Sequence, residues 1–383
     1  MKGLDGGYSD RFYNTAARFA AHPRDEHFLC GSNSPERLRF GCILKLCCAT
    51  LWTGGLSLNI LVTGGAGYIG SICSEVLLSR GHRVIVLDNL QEGHRAAVPP
   101  AAVFVEGDLA DRQQLEKVFA THKIHAVMHF AGEALVAKSV REPSTFYAAN
   151  VGCGVNLLDA MIRHGVDKLI FSSTAATYGE PTVVPIPEDH VQAPINPYGK
   201  SKLRFEQILA DYRGYAGLKY VTVRYFNAAG ASKERGEHHR VETHLIPRVL
   251  DTALGNFPEM EIFGFDYPTP DGTCVRDFVH VLDIADSHVL ALEEIDRVQG
   301  EAFNVGTTSG YSNLQVVQVA ERVTGRKVAH KLSPRRPGDP ATLVASNEKL
   351  KSTLGWVPKH SSLESIIQSA WDWRMRFPHG YPD

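Results

Sequence analysis

Cysteine is scarce in this 383-residue chain: there are seven, and four of them fall in the first 48 positions. That density excludes a disulfide scaffold. An excess of charge of one sign is missing too. Forty basic residues face 42 acidic ones, a formal net charge of −2, which leaves no electrostatic footprint for nucleic acid and no polybasic patch for a membrane. Long apolar runs are absent as well. The best candidate, from Cys42 to Gly55, is broken by Lys45 and falls short of the roughly 20 residues a membrane span needs. It also lies too deep for a secretory signal and has no small-residue cleavage site behind a basic start. The 34 glycines and 20 prolines follow no fixed period, so with an apolar content of 44% neither a collagen-like nor a disordered chain fits. What remains is an ordinary globular composition, long enough for one large domain or two modest ones.

Residues 1–57 differ from the rest. They hold Cys30, Cys42, Cys47 and Cys48 and show no clean apolar period. The adjacent Cys47-Cys48 pair lacks zinc or redox spacing. The expectation is a leader without catalytic chemistry, either disordered or translated from a misplaced start.

From residue 58 strands and helices alternate. Asn59–Thr63, Val84–Asp88, Val103–Glu106, Ala126–Phe130, Lys168–Ser172 and Tyr220–Arg224 read as strands. Ile69–Ser79, Asp111–Ala120 and Pro143–His164 read as helices between them. Regular alternation predicts an α/β fold with a Rossmann-type, doubly wound parallel sheet. From about Ala228 proline and glycine become frequent, which suggests loop-rich material for a substrate cap; Ser362–Arg376 returns to helical spacing. The expected organisation is therefore a nucleotide-binding domain over 58–228 and a smaller mixed α/β domain over 229–383, some of whose segments return to pack on the first.

The loop Thr63-Gly-Gly-Ala-Gly-Tyr-Ile-Gly70 follows a strand and opens a helix. Gly64, Gly67 and Gly70 permit a tight turn and close approach of a pyrophosphate, and the helix N-terminus offers unpaired N–H groups. Asp88 ends the next strand, 18 residues beyond Gly70. A carboxylate there accepts from ribose hydroxyls and repels a 2′-phosphate, so NAD is favoured over NADP. Asp108, after the third strand, stands where it could reach the adenine edge.

Tyr198 and Lys202 lie four apart in Asn196-Pro-Tyr-Gly-Lys-Ser-Lys202. On a helix they share a face. A neighbouring ammonium and a positive nicotinamide would draw the phenol, ordinarily near pH 10, toward the range of a general base. Thr174 follows the fifth strand, where its hydroxyl can share the reacting oxygen with Tyr198.

Together these residues resemble the extended short-chain dehydrogenase/reductase superfamily and, within it, the UDP-glucose 4-epimerases. The resemblance runs from about residue 58 to the end, through VTGGAGYIG, LDNL, EGDL, HFAG, FSST, YGKSK, RYFNAAGA, IFGFDYPTPDGTCVRDFVHV and RRPGD. It implies that Tyr198 takes the proton of the sugar 4-hydroxyl while C4 gives hydride to NAD, and that the 4-keto sugar turns and takes it back on its other face. Thr174, Tyr198 and Lys202 would then be catalytic. The cofactor would touch Gly64, Gly67, Tyr68, Ile69, Gly70, Asp88, Asn89, Asp108, Leu109, Phe130, Ala131, Gly132, Asn150, Ser172, Tyr198, Lys202 and Tyr225. The UDP-sugar would meet Thr174, Tyr198, Asn227, His244, Leu245, Phe263, Arg276, Arg336 and Asp339, with the two arginines clamping the diphosphate. A cytoplasmic homodimer is implied, with no nucleic-acid or membrane partner.

Departures from the family pattern bear on specificity. The catalytic hydroxyl is often Ser, here Thr174. A lysine that some members carry near the ribose is here Ala134. His244 stands where some members have Asn, and Leu343 stands at a position whose size tunes acceptance of N-acetylated sugars. An epimerase for UDP-arabinose/xylose, UDP-glucuronate or UDP-N-acetylglucosamine, or a non-catalytic NAD-binding scaffold, therefore remains an alternative. A dehydratase would need a carboxylate pair where Ala175 and Ala176 stand. His238, His239 and His244 lie near Glu237 and Glu242 without a helical H-x-x-x-H pair, so no metal is expected.

Overall fold

The computed structural model describes residues 57–336 and 339–382. The expectation for residues 1–57 falls, but for Ser57, outside the described residues. Seven parallel strands form the main sheet: β1 (Asn59–Thr63), β2 (Arg83–Asp88), β3 (Val103–Glu106), β4 (Ala126–His129), β5 (Lys168–Thr174), β6 (Lys219–Tyr225) and β7 (Ala302–Val305). Their order across the sheet is 3-2-1-4-5-6-7. The order reverses between β1 and β4, the place where open α/β sheets bind ligands.

The strands are near-continuous apolar runs because both faces are covered. Period two then sorts their side chains. Ile60, Val62, Val84, Val86, Ala126 and Met128 enter one core, with Ile284, Val289 and Phe303. Leu61, Ile85, Leu87, Val127, Leu169 and Phe171 enter the other, with Leu115, Leu157 and Phe205. Each such valine, leucine, isoleucine, methionine or phenylalanine, fully buried, stabilises the fold by about 1.5–3 kcal/mol. Helices α1 (Tyr68–Ser79), α2 (Arg112–Thr121), α3 (Cys153–Arg163) and α4 (Pro197–Ala216) connect the strands. Asp111 caps α2 by accepting from Gln114 N–H at 3.0 Å. The helix expected over 143–164 is one continuous coil that passes through a π-helical stretch at Ala148–Gly152.

Residues beyond 228 are more regular than expected. They form α5 (Leu245–Leu254), α6 (Val281–Glu293), α7 (Asn313–Thr324) and α8 (Leu363–Arg376). Helix α6 packs on α1, and β7 closes the sheet beside β6. Helices α5, α7 and α8 build a separate core with Met260, Ile262 and Phe278. Short strand pairs, Asn227–Ala229 with Phe278–His280 among them, link this core to the sheet.

Candidate active site

A cavity of about 830 Å³ lies over the C-terminal ends of the strands. Its floor is the turn from β1 to α1. Gly64 adopts φ +72°, and a Cβ there would stand 2.5 Å from the Ala131 amide nitrogen. Gly67 is the N-cap of α1, and no side chain caps that end. A Cβ on Gly67 would meet nothing closer than the Gly64 carbonyl at 3.3 Å. The α1 N–H groups therefore open onto the cavity, a cradle sized for an anion. At the edge, Asp88 is fixed by N–H groups of Ala66 and Leu90, each 2.9 Å away. Burial pushes its carboxyl up, against those two hydrogen bonds. Asn89 Nδ2 donates to Asp108 Oδ2 at 2.8 Å.

Tyr198 enters from the first turn of α4, which Pro197 begins and Asn196 caps by accepting from Gly199 N–H at 2.9 Å. Burial raises the Tyr198 phenol, and the Thr174 hydroxyl beside it lowers it in part. Lys202 is buried behind the tyrosine. Its Nζ donates to the Ser172 carbonyl at 3.0 Å, and burial brings the ammonium down to about 8, with Glu206 opposing. Lys202 thus also holds the end of β5, and burial is the chief reason the phenol lies above its ordinary value. Glu206 itself joins Arg224 in a buried ion pair, with Nη2 to Oε2 at 2.6 Å.

Asn227, His244, Arg276, Asp339 and Leu343 line the opposite wall. Arg276 donates to the Pro340 carbonyl at 2.8 Å, and its guanidinium lies 3.7 Å from Asp339 Oδ1. Other expected residues lie off the lining. Asn150, Ser172 and Lys202 form the layer beneath it; Asn150 holds the 132–133 turn by accepting from Glu133 N–H at 2.8 Å. Leu245 begins α5. Phe263 and Arg336 are brought together, the guanidinium 3.8 Å above the ring centre, and the Arg336 carbonyl accepts from the amide of the cavity-lining Asp339 at 3.4 Å.

Glu237 and His239 line the cavity beside His244 and were not foreseen there. Their nearness along the chain is legible, but a loop without a helical period does not tell which wall it will line. Burial opposes charge on Glu237, yet the pairing wins. His244 and His239 hold the Glu237 carboxyl well below the usual carboxylate range, and Glu237 and Glu242 push the half-exposed His244 imidazole up.

An uncapped helix N-terminus, a strand-end carboxylate and a buried tyrosine–lysine helix share one cavity. Residues 60–306 match the NAD dependent epimerase/dehydratase family. The chain belongs to that family. Among members of the family, the UDP-glucose 4-epimerase of Lacticaseibacillus casei is 47% identical over 329 residues, which cover 85% of this chain and 99% of that one. The UDP-glucose 4-epimerase of Corynebacterium glutamicum is 49% identical over 314 residues, covering 82% and 95%. Among solved structures of the family, UDP-glucose 4-epimerase from Brucella ovis in complex with NAD superposes with a TM-score of 0.80 at 45% identity, covering 82% of this chain and 98% of that one. The Bifidobacterium longum enzyme in complex with NAD+ and UDP gives 0.81 at 37%, covering 84% and 100%.

Proposed function

We propose that this protein is a UDP-glucose 4-epimerase, interconverting UDP-galactose and UDP-glucose with tightly held NAD. The observation that carries the reading is the meeting of Tyr198 and Thr174 with the open α1 N-terminus in one cavity. The residues present fit the cofactor. Gly67 leaves room before α1 for a pyrophosphate, and Asp88 offers a buried carboxylate to a ribose. NAD, when bound, supplies the acceptor and the return donor for the hydride of C4.

The chain's own groups do the rest. Tyr198 Oη removes the proton of the 4-hydroxyl and later returns one, and Thr174 Oγ1 orients that oxygen. Lys202 keeps a positive charge beneath the phenol while fixing the end of β5. Arg276, with Asn227 and Asp339, holds the nucleotide end, so the sugar can present either face of C4 to the same base. Positioning of this kind supplies much of the rate. Because burial brings Lys202 down to about 8, its charge beneath the phenol is present below that pH and fades above it, so turnover should fall as the pH rises past about 8.

The experiment is conversion of UDP-galactose without added reductant, with deuterium at C4. The label should stay with its molecule, and denaturation should release one NAD per chain. Loss of deuterium to solvent, or a supernatant free of pyridine nucleotide, would sink the reading. The same reading has the enzyme act as a cytoplasmic homodimer. Exposed Val136, Val140 and Tyr147 on successive short helices offer an apolar face for pairing, and light scattering tests it.

A further inference from the structure

One group of side chains has no task in the reaction above as a group. The loop leading into α5 gathers Glu237, His239, Glu242 and His244, and one donor atom from each lies within 4.8 Å of all the others. Three of the spacings are shorter. His239 Nε2 is 3.2 Å from Glu237 Oε1, and His244 Nδ1 is 3.0 Å from that oxygen and 3.1 Å from Glu242 Oε1. Donors at about 2.0–2.1 Å from a tetrahedral zinc ion stand roughly 3.3–3.4 Å apart. The two spacings about Glu237 Oε1 already approximate edges of such a tetrahedron, and a modest closure supplies the rest.

A second observation concerns Glu242. Its Oε2 atom is buried and has no hydrogen-bond partner, whereas Oε1 accepts from the His244 amide at 2.7 Å. A carboxylate oxygen shut away from water and from donors is satisfied by a cation. We infer that Glu237, His239, Glu242 and His244 form a binding site for a divalent transition-metal ion of the zinc type at the rim of the large cavity. Two imidazole nitrogens select against calcium and magnesium, which favour oxygen. Two carboxylates balance the ion's charge. A second cavity of about 290 Å³ reaches both His239 and Glu242, giving the ion a route that does not pass the nucleotide.

Glu237, His239 and His244 also line the large cavity. An ion there ties His244 to the loop and withdraws it from any ligand alongside. Metal and UDP-sugar therefore oppose one another; this clause alone rests on the function proposed above.

The test uses the full-length chain, stripped with EDTA and titrated with Co²⁺ and then Zn²⁺. One Co²⁺ per chain is expected, with tetrahedral visible absorption, no thiolate charge-transfer band, and displacement by Zn²⁺. Glu242→Gln keeps the acceptor for the His244 amide and should weaken binding at least about tenfold, as loss of a ligand exceeds loss of a supporting contact. His239→Gln should do the same and serves if the first variant does not fold. No saturable binding, a thiolate band, or unchanged affinity in the folded variants overturns the site. UDP is titrated separately, with and without Zn²⁺. Weaker UDP binding with zinc supports the opposition, and equal binding refutes it. Failure of UDP to bind metal-free protein would count against the proposed function and the opposition, while the metal titration stands on its own.

Discussion

The two walls of the large cavity are made of different material. Under β1 and α1 the wall is main chain: Gly64, Gly67 and the uncapped N–H groups of α1. Across from it the wall is side chain: Asn227, Arg276, Asp339 and Leu343, set on short strands and loops. A main-chain wall cannot be retuned by exchanging residues, because any Cβ at Gly64 collides with Ala131. It suits a partner that never changes. A side-chain wall can be altered one residue at a time without disturbing the sheet, and suits a partner that varies between relatives.

The sharpest test of that division is Tyr198→Phe, which sits between the walls. It should cost about 10²–10⁴ in turnover and leave the melting temperature and NAD content near those of the parent. A variant that lost its NAD would show the tyrosine to be part of the cofactor wall instead. Next in size, Gly64→Ala should destabilise the fold by at least about 2 kcal/mol, since a left-handed residue is forced against backbone. Gly67→Ala should change stability by less than about 1 kcal/mol yet lower retained NAD, measured after denaturation. Equal loss of stability in both would break the contrast.

The histidines offer an intermediate effect. Burial depresses His129 to about 3 and His280 and His288 to about 4. Below pH 6.5 the unfolded chain binds protons that these folded sites refuse, so stability falls as pH drops from 6.5 toward 4. Asp277, raised to about 6 by burial, runs the other way between its ordinary value and pH 6. The three histidines outweigh it, and the unfolding free energy from urea titration at pH 5 should lie below that at pH 7 by an amount on the order of 1 kcal/mol per histidine. The smallest change belongs to the side-chain wall. Leu343→Ser should raise relative turnover of UDP-N-acetylglucosamine by roughly tenfold with no loss of NAD; an unchanged ratio would remove Leu343 from the sugar contact.

The same division governs what could be read from residues alone. The first six strands and the glycine turn were legible because β-branched runs, glycines and strand-end carboxylates obey local rules. Tyr198 and Lys202 were legible because a helical spacing of four is local too. Helix α7 was hidden by its valines, although the capping box between Ser312 and Gln315 and the stop at Gly325 were signals that could have revealed it. Strand β7 is only four residues long and takes its identity from pairing with β6, a long-range contact that no window contains. That Glu237 and His239 line the cavity was missed for the same reason, since a loop's path decides which wall it joins. Phe263 and Arg336, named by the family pattern alone, stack on each other beside the cavity-lining Asp339.

The late arrival of β7 has a consequence for synthesis on the ribosome. Until residue 305 emerges, the outer edge of β6 is bare, and 305 − 225 leaves 80 residues still to be made. At about 5–20 residues per second the nascent chain carries an unpaired, apolar strand for roughly 4–16 s, the kind of edge that other chains can adhere to. A translation pause within that interval would tax the cell's chaperones more than one placed anywhere after it.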